Sequence, residues 1–210
     1  LMGIKRIKGS YQKPKKPKSN LAITGIYFLT PIIFEKIKKL KPSWRNEFEI
    51  VDALQLLLEE RNNISYDIIT EFWKDTGTPD DIIHANRIIL NNIQTKNLGT
   101  QEKNVDITGN ASIGKNSIIK NNCKIIGPVI IGEDCILENN CIIGPNVSIG
   151  NNCKIANSQV ENSIIMDNCI IDSEIFIENS IISDNCQIIS EKEKLEKKKF
   201  LLGESTKISF

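Results

Sequence analysis

Few residues in this 210-residue chain could do chemistry. The string Trp73-Lys74-Asp75-Thr76-Gly77-Thr78 sets a carboxylate just ahead of a helix start, and carboxylate oxygen is what a hard divalent cation takes. One carboxylate is a weak signal, and read alone the string is a polar loop. Lys13-Pro14-Lys15-Lys16-Pro17-Lys18 is a basic, proline-punctuated run whose plain reading is a solvated connector. The single histidine, His84, falls near a helix beginning and reads as a structural or surface residue rather than a base. No glycine-rich phosphate loop occurs.

Six cysteines invite a disulfide or metal reading, but their register argues otherwise. From Ile107 to about Ser190 the chain repeats every six residues. Ile107, Ile113, Ile119, Ile125, Ile131, Leu137, Ile143, Ile149 and Ile155 share one register. Four residues after an aliphatic comes a small or apolar side chain, and Cys123, Cys135, Cys141, Cys153, Cys169 and Cys186 all take that slot. A free cysteine behaves there as a small buried hydrophobe. With no C-x-x-C pair and no histidine nearby, metal-ligand spacing is missing. Unpaired thiols imply a reducing compartment, here the cytoplasm.

The elements that must position these residues follow from the same periodicity. A hexapeptide repeat means a parallel β-helix, in which no coil buries its own apolar face and several must stack. Asn116, Asn122, Asn140, Asn146 and Asn152 precede the small residues and suit left-handed backbone at tight corners. Gly114, Gly127-Pro128, Gly132, Gly144-Pro145 and Gly150 fit corners too. Val160–Ile164 and Ile177–Ile181 read as five-residue steps, with hexads resuming at Ile165 and Ile182. At about 18 residues per coil this predicts between four and five coils.

Upstream, Leu21–Leu29 reads as a buried strand. Thr30-Pro31 reads as an N-cap and first helical residue, opening a helix with Ile33, Ile37 and Leu40 on one face. Glu49–Glu60 reads as a second helix and Ile64–Thr70 as a strand. Thr78-Pro79-Asp80-Asp81 opens a third helix running to about Asn91. The expected division is 1–97 as an α/β piece, 98–190 as the β-helix and 191–210 as a charged tail or capping helix. Lys and Arg number 27 against 26 Asp and Glu, so no general pull toward nucleic acid is implied. No apolar run is long enough to cross a membrane.

Several strings together resemble the sugar-1-phosphate nucleotidyltransferases, most closely the glucose-1-phosphate thymidylyltransferase group. They are Lys13-Pro14 with Pro17-Lys18-Ser19-Asn20; Thr24-Gly25-Ile26-Tyr27; Lys41-Pro42-Ser43 with Arg45–Asp52; and Trp73–Thr78, in that family's order and spacing. The resemblance implies part of a Rossmann-like α/β nucleotidyltransferase domain followed by a left-handed parallel β-helix. It implies transfer of a nucleotidyl group from a nucleoside triphosphate to a sugar 1-phosphate, with pyrophosphate released and Mg2+ as cofactor. By the same resemblance Lys13 holds the sugar phosphate as the catalytic lysine and Asp75 is one of two magnesium-binding aspartates. Thr24, Gly25 and Tyr27 line the sugar pocket. Gln12 stands where the family usually has a glutamate that binds sugar hydroxyls; an amide still hydrogen-bonds but without charge.

The family's G-x-G-T-R-L loop, a second lysine, the base pocket and the other aspartate are not in this sequence. The expectation is therefore a split enzyme whose N-terminal half is a separate chain, or a truncated piece of one, with exposed apolar surface where that half packs, and a homo-oligomer. Two alternatives stand beside it. One is a non-catalytic β-helix assembly or binding module. The other is a hexapeptide acyltransferase, disfavoured because residues 105–210 contain no histidine to act as a base.

Overall fold

The computed structural model describes residues 19–70, 73–189, 197–198, 200–204 and 207–209. The chain forms two compact units, Leu1–Trp73 and Lys74–Phe210.

In the first unit, helix α1 spans Ile32–Ile37 and helix α2 spans Ile50–Glu59. Helix α1 starts one residue later than the sequence suggests. Pro31 takes the N-cap position with no side-chain cap, and the Thr30 carbonyl accepts from the Ile33 amide at 3.1 Å. The apolar stripe of α2 buries Ala53, Leu54 and Leu57 against Ile33, with Tyr27, Leu40, Ile50 and Ile64 packed around them. Lys36 is buried, and its ammonium meets the Glu60 carboxylate at 2.5 Å. That hydrogen bond holds the Glu60 carboxyl below the usual carboxylate range.

Neither expected strand of this unit forms. Leu21–Leu29 pairs with no strand among the described residues and is mostly exposed, with Phe28 at 98% and Ile26 at 64%. Ile64–Thr70 reduces to one bridged residue, Ser65, and Ile68 and Ile69 are exposed. An apolar run becomes a strand only by hydrogen bonding to a neighbouring edge, and the described residues supply no such edge.

The second unit is a parallel β-solenoid of about six turns with helix α3, Pro79–Leu90, lying on it. One face is a seven-strand stack through Lys96–Asn97, Ala111–Ile113, Val129–Ile131, Val147–Ile149, Ile164–Ile165, Ile181–Ile182 and Leu201–Leu202. The other two faces share the long strands Lys154–Glu161 and Ile170–Glu178, each of which turns a corner. Register is strict: Ile113 pairs with Ile131 and Ile131 with Ile149, while Ile119 pairs with Leu137 and Leu137 with Ile155. These inward residues are buried almost completely and make one continuous core.

The corners behave as the hexads predict. Asn116, Asn122, Asn140, Asn146 and Asn152 all adopt positive φ, between 56° and 64°. At Gly132 a Cβ would sit 2.4 Å from the Gly150 carbonyl oxygen, so adjacent coils approach too closely there for any side chain. The five-residue steps hold: Val160 and Ile165 both point inward, as do Ile177 and Ile182. A bulge between Ala156 and Ser158 absorbs the first change of register, which turns Gln159 outward.

The solenoid is longer than the repeat alone indicates. Lys96–Asn97 and Thr100–Gln101 pair onto its start. In the segment expected as a charged tail or capping helix, Lys197–Lys198, Leu201–Leu202 and Lys207–Ser209 are instead parallel strands on Phe176–Ile177, Ile181–Ile182 and Gln187–Ile189. An open strand edge is the strongest local template for backbone pairing, and here it overrides the helical composition.

All six cysteines are free and buried. They stack in two columns, Cys123 with Cys141, and Cys135 through Cys153 and Cys169 to Cys186, and each thiol donates to a carbonyl of the next coil. The Cys135 Sγ, for example, lies 3.0 Å from the Gly150 oxygen and the Cys186 Sγ 3.0 Å from that of Gly203. The neighbouring Cys153 thiol lowers the Cys135 pKa to about 7, and the Cys135 and Cys123 thiols beside them push Cys153 and Cys141 up.

Three measurements check this account. Ile143→Ala removes a fully buried coil residue and is expected to cost about 3 kcal/mol in urea unfolding. Asn140→Ala, at φ 64°, is expected to cost about 1 kcal/mol. A thiol reagent is expected to leave all six cysteines unmodified in the native protein and to modify all six in denaturant.

Candidate functional site

Asp75 lies in the loop leading into α3, and three neighbours fix that loop. Thr78 is the N-cap: its Oγ1 accepts from the Asp81 amide at 3.2 Å and donates to Asp81 Oδ2 at 2.7 Å. Pro79 follows as the first helical residue, where its missing N–H costs nothing. Lys74 Nζ reaches Asp81 Oδ1 at 2.6 Å. Hydrogen bonds from Lys74, then Thr78, hold the Asp81 carboxyl below the usual carboxylate range.

The loop is therefore tied down on both sides of Asp75 while Asp75 itself stays exposed. Among the described residues no cation pairs with it. Its side chain bends toward Gly77, where an added Cβ would sit 3.7 Å from Oδ1. An exposed, unneutralised carboxylate on a fixed loop fits a ligand for a hard cation such as Mg2+. No group of three or more His, Cys, Asp or Glu with metal-binding geometry occurs among the described residues, so Asp75 would supply one donor of a set completed by phosphate oxygens or other residues.

Thr24, Gly25 and Tyr27 lie together on one segment of the first unit. Gly25 takes φ +82°, Thr24 is half-buried, and the Tyr27 ring packs on the α1–α2 cluster. Tyr27 thus anchors a turn that presents Thr24 and the Gly25 backbone. Gln12 and Lys13 lie outside the described residues. Lys74, Thr78 and Asp81 were readable from the sequence only as a loop and a cap; the i, i+7 reach from Lys74 to Asp81 has no sequence signature of its own. His84 is exposed on α3, in keeping with a surface residue.

Comparison with known proteins gives this geometry a setting. Residues 3–92 match the nucleotidyl transferase family, and residues 125–209 match the GMPPB C-terminal domain. Over these stretches the chain is similar to the sugar-1-phosphate nucleotidyltransferases. It is 36% identical over 116 residues to glucose-1-phosphate thymidylyltransferase of Streptomyces antibioticus, a match covering 55% of this chain and 33% of that enzyme. It is 39% identical over 106 residues to the low-salt glycan biosynthesis nucleotidyltransferase Agl11 of Haloferax volcanii, covering 50% and 30%. It is 43% identical over 109 residues to the bifunctional protein GlmU of Methanococcus aeolicus, covering 52% and 26%. The chain thus spans about a third or less of the length of each of these relatives. No described helix is long and apolar enough to cross a membrane.

The cap makes a direct expectation. Thr78→Ala should lower stability by about 1 kcal/mol, read by thermal melting. Because the Asp81 carboxyl is depressed in the folded state, its contribution is present above the ordinary carboxylate pKa and lost as pH falls through the lowered one. Melts from pH 6 to pH 2, on the order of that range, should show this acid-side loss shrinking in Asp81→Asn.

Proposed function

We propose that the chain acts as part of a sugar-1-phosphate nucleotidyltransferase, moving a nucleotidyl group from a nucleoside triphosphate to a sugar 1-phosphate with release of pyrophosphate. The observation that carries this reading is Asp75: an exposed carboxylate with no cation partner among the described residues, on a loop fixed by Lys74, Thr78 and Asp81, inside the stretch that matches the nucleotidyl transferase family. Bound Mg2+ would offset the negative charge of the phosphates. Asp75 would supply a carboxylate oxygen to hold that ion. Lys13 grips the sugar phosphate, Thr24, Gly25 and Tyr27 line the sugar, and Gln12 hydrogen-bonds a sugar hydroxyl.

The same reading includes a polypeptide that carries the G-x-G-T-R-L loop, either continuous with this chain or separate. Support comes from the apolar residues Leu21, Ile26, Phe28 and Leu29, which lie exposed along an unpaired segment. The six free buried thiols support a reducing, cytoplasmic setting. The exposed apolar side chains Ile118 and Met166 on the solenoid support a homo-oligomer.

Mixing this chain with a polypeptide bearing the G-x-G-T-R-L loop should give Mg2+-dependent pyrophosphate release from a nucleoside triphosphate and a sugar 1-phosphate. Asp75→Asn should reduce kcat about a hundredfold or more. A mixture that forms a complex yet releases no pyrophosphate would overturn the reading.

A further inference from the structure

The two five-residue steps set Asn162 and Asn179 one above the other, in left-handed backbone with φ +45° and +51°. Asn162 is buried and donates its Nδ2 to the Asn179 Oδ1. Its own Oδ1 accepts from the Nε of Arg87 on α3. One residue earlier on the helix, Asn86 Oδ1 accepts from the Ser148 hydroxyl at 2.6 Å. Helix α3 is therefore held on the solenoid by side-chain hydrogen bonds from two adjacent residues.

This docking occupies only one donor of a guanidinium that has five. Arg87 has no carboxylate partner among the described residues. It opens onto a cleft of about 390 Å³ lined by Asp80, Ile83, His84, Arg87 and Asn179. Asp80, His84 and Arg87 share one face of α3 at i, i+4 and i+7. Opposite them stands Asn179, whose Oδ1 is engaged by Asn162, which leaves its amide N–H groups as donors. Ile83 is buried and makes an apolar wall.

The chemistry of these groups selects a ligand class. A guanidinium pinned through Nε still presents its Nη fork, which matches a phosphate or carboxylate in bidentate fashion. An imidazole and an amide beside it add donors suited to the further oxygens of a phosphate. The volume falls at the small end of organic-ligand pockets and exceeds what bare phosphate fills.

We propose that the cleft between α3 and the solenoid binds a small organic phosphomonoester, gripped by Arg87 with Asn179 and His84 as supporting donors. The site is built wholly within the second unit and does not rest on the nucleotidyl-transfer reading.

The chain has one histidine, so the His84 ring signals in NMR report this cleft alone. Titration of glycerol 2-phosphate into the full chain at fixed pH should shift them saturably, with a Kd on the order of 1 mM or tighter. Acetate should leave them in place. Arg87→Gln should weaken binding about tenfold or more. Asn179→Ala, which leaves the Arg87–Asn162 contact in place, should weaken it about threefold. Arg87→Lys keeps the charge but not the fork, and carries the same test if Arg87→Gln loosens α3. A linear, unsaturable shift, an equal response to acetate, or Arg87 and Asn179 variants whose curves overlay the parent would overturn the proposal.

Discussion

In-register stacking of identical coils is the constraint on which the second unit depends. A single coil offers three short strands and a few inward aliphatics, too little to bury anything by itself. Each layer is therefore stable only through the one above and the one below. Every local choice serves that contact: inward Ile and Leu in unbroken columns, asparagine where the backbone must turn left-handed, and glycine where two corners nearly touch. The cysteines belong to the same set. Their thiols are small enough for the corner and polar enough to satisfy a carbonyl of the next coil.

Helix α3 couples this scaffold to the candidate site. Its N-terminus is set by Thr78 and Pro79, its first turn by Asp81 and Lys74, and its body by Asn86 and Arg87 on the solenoid. Asp75 inherits its position from that chain of contacts. Although residues 3–92 match the nucleotidyl transferase family as one stretch, α3 packs with the solenoid as a compact unit. The loop proposed to hold a metal is thus presented by the most regular part of the molecule.

Periodicity made the solenoid legible in the sequence, down to individual corners, because it is a local pattern repeated many times. The five-residue steps and the free state of all six cysteines could be read for the same reason. Leu21–Leu29 could not be read correctly, because an apolar run records a wish for a partner edge and not whether one exists. The C-terminal strands were hidden by charge: Glu191–Lys199 has helical composition, yet Lys197–Lys198 pairs on a waiting edge. At the site, the cap was plain from Thr78-Pro79. The ion pair to Lys74 and the Arg87–Asn162 contact join residues that sequence spacing gives no reason to connect.

The level at which α3 docks has a consequence for how the molecule breathes. On the seven-strand face, α3 contacts Val147–Ile149, the fourth layer, with three layers on either side. Solenoids open from their ends, where a coil has only one neighbour. Fraying from either end must therefore pass through three layers before it reaches the strand under α3. The outer coils act as a buffer, and the loop bearing Asp75 is insulated from fluctuations that a shorter stack would transmit to it.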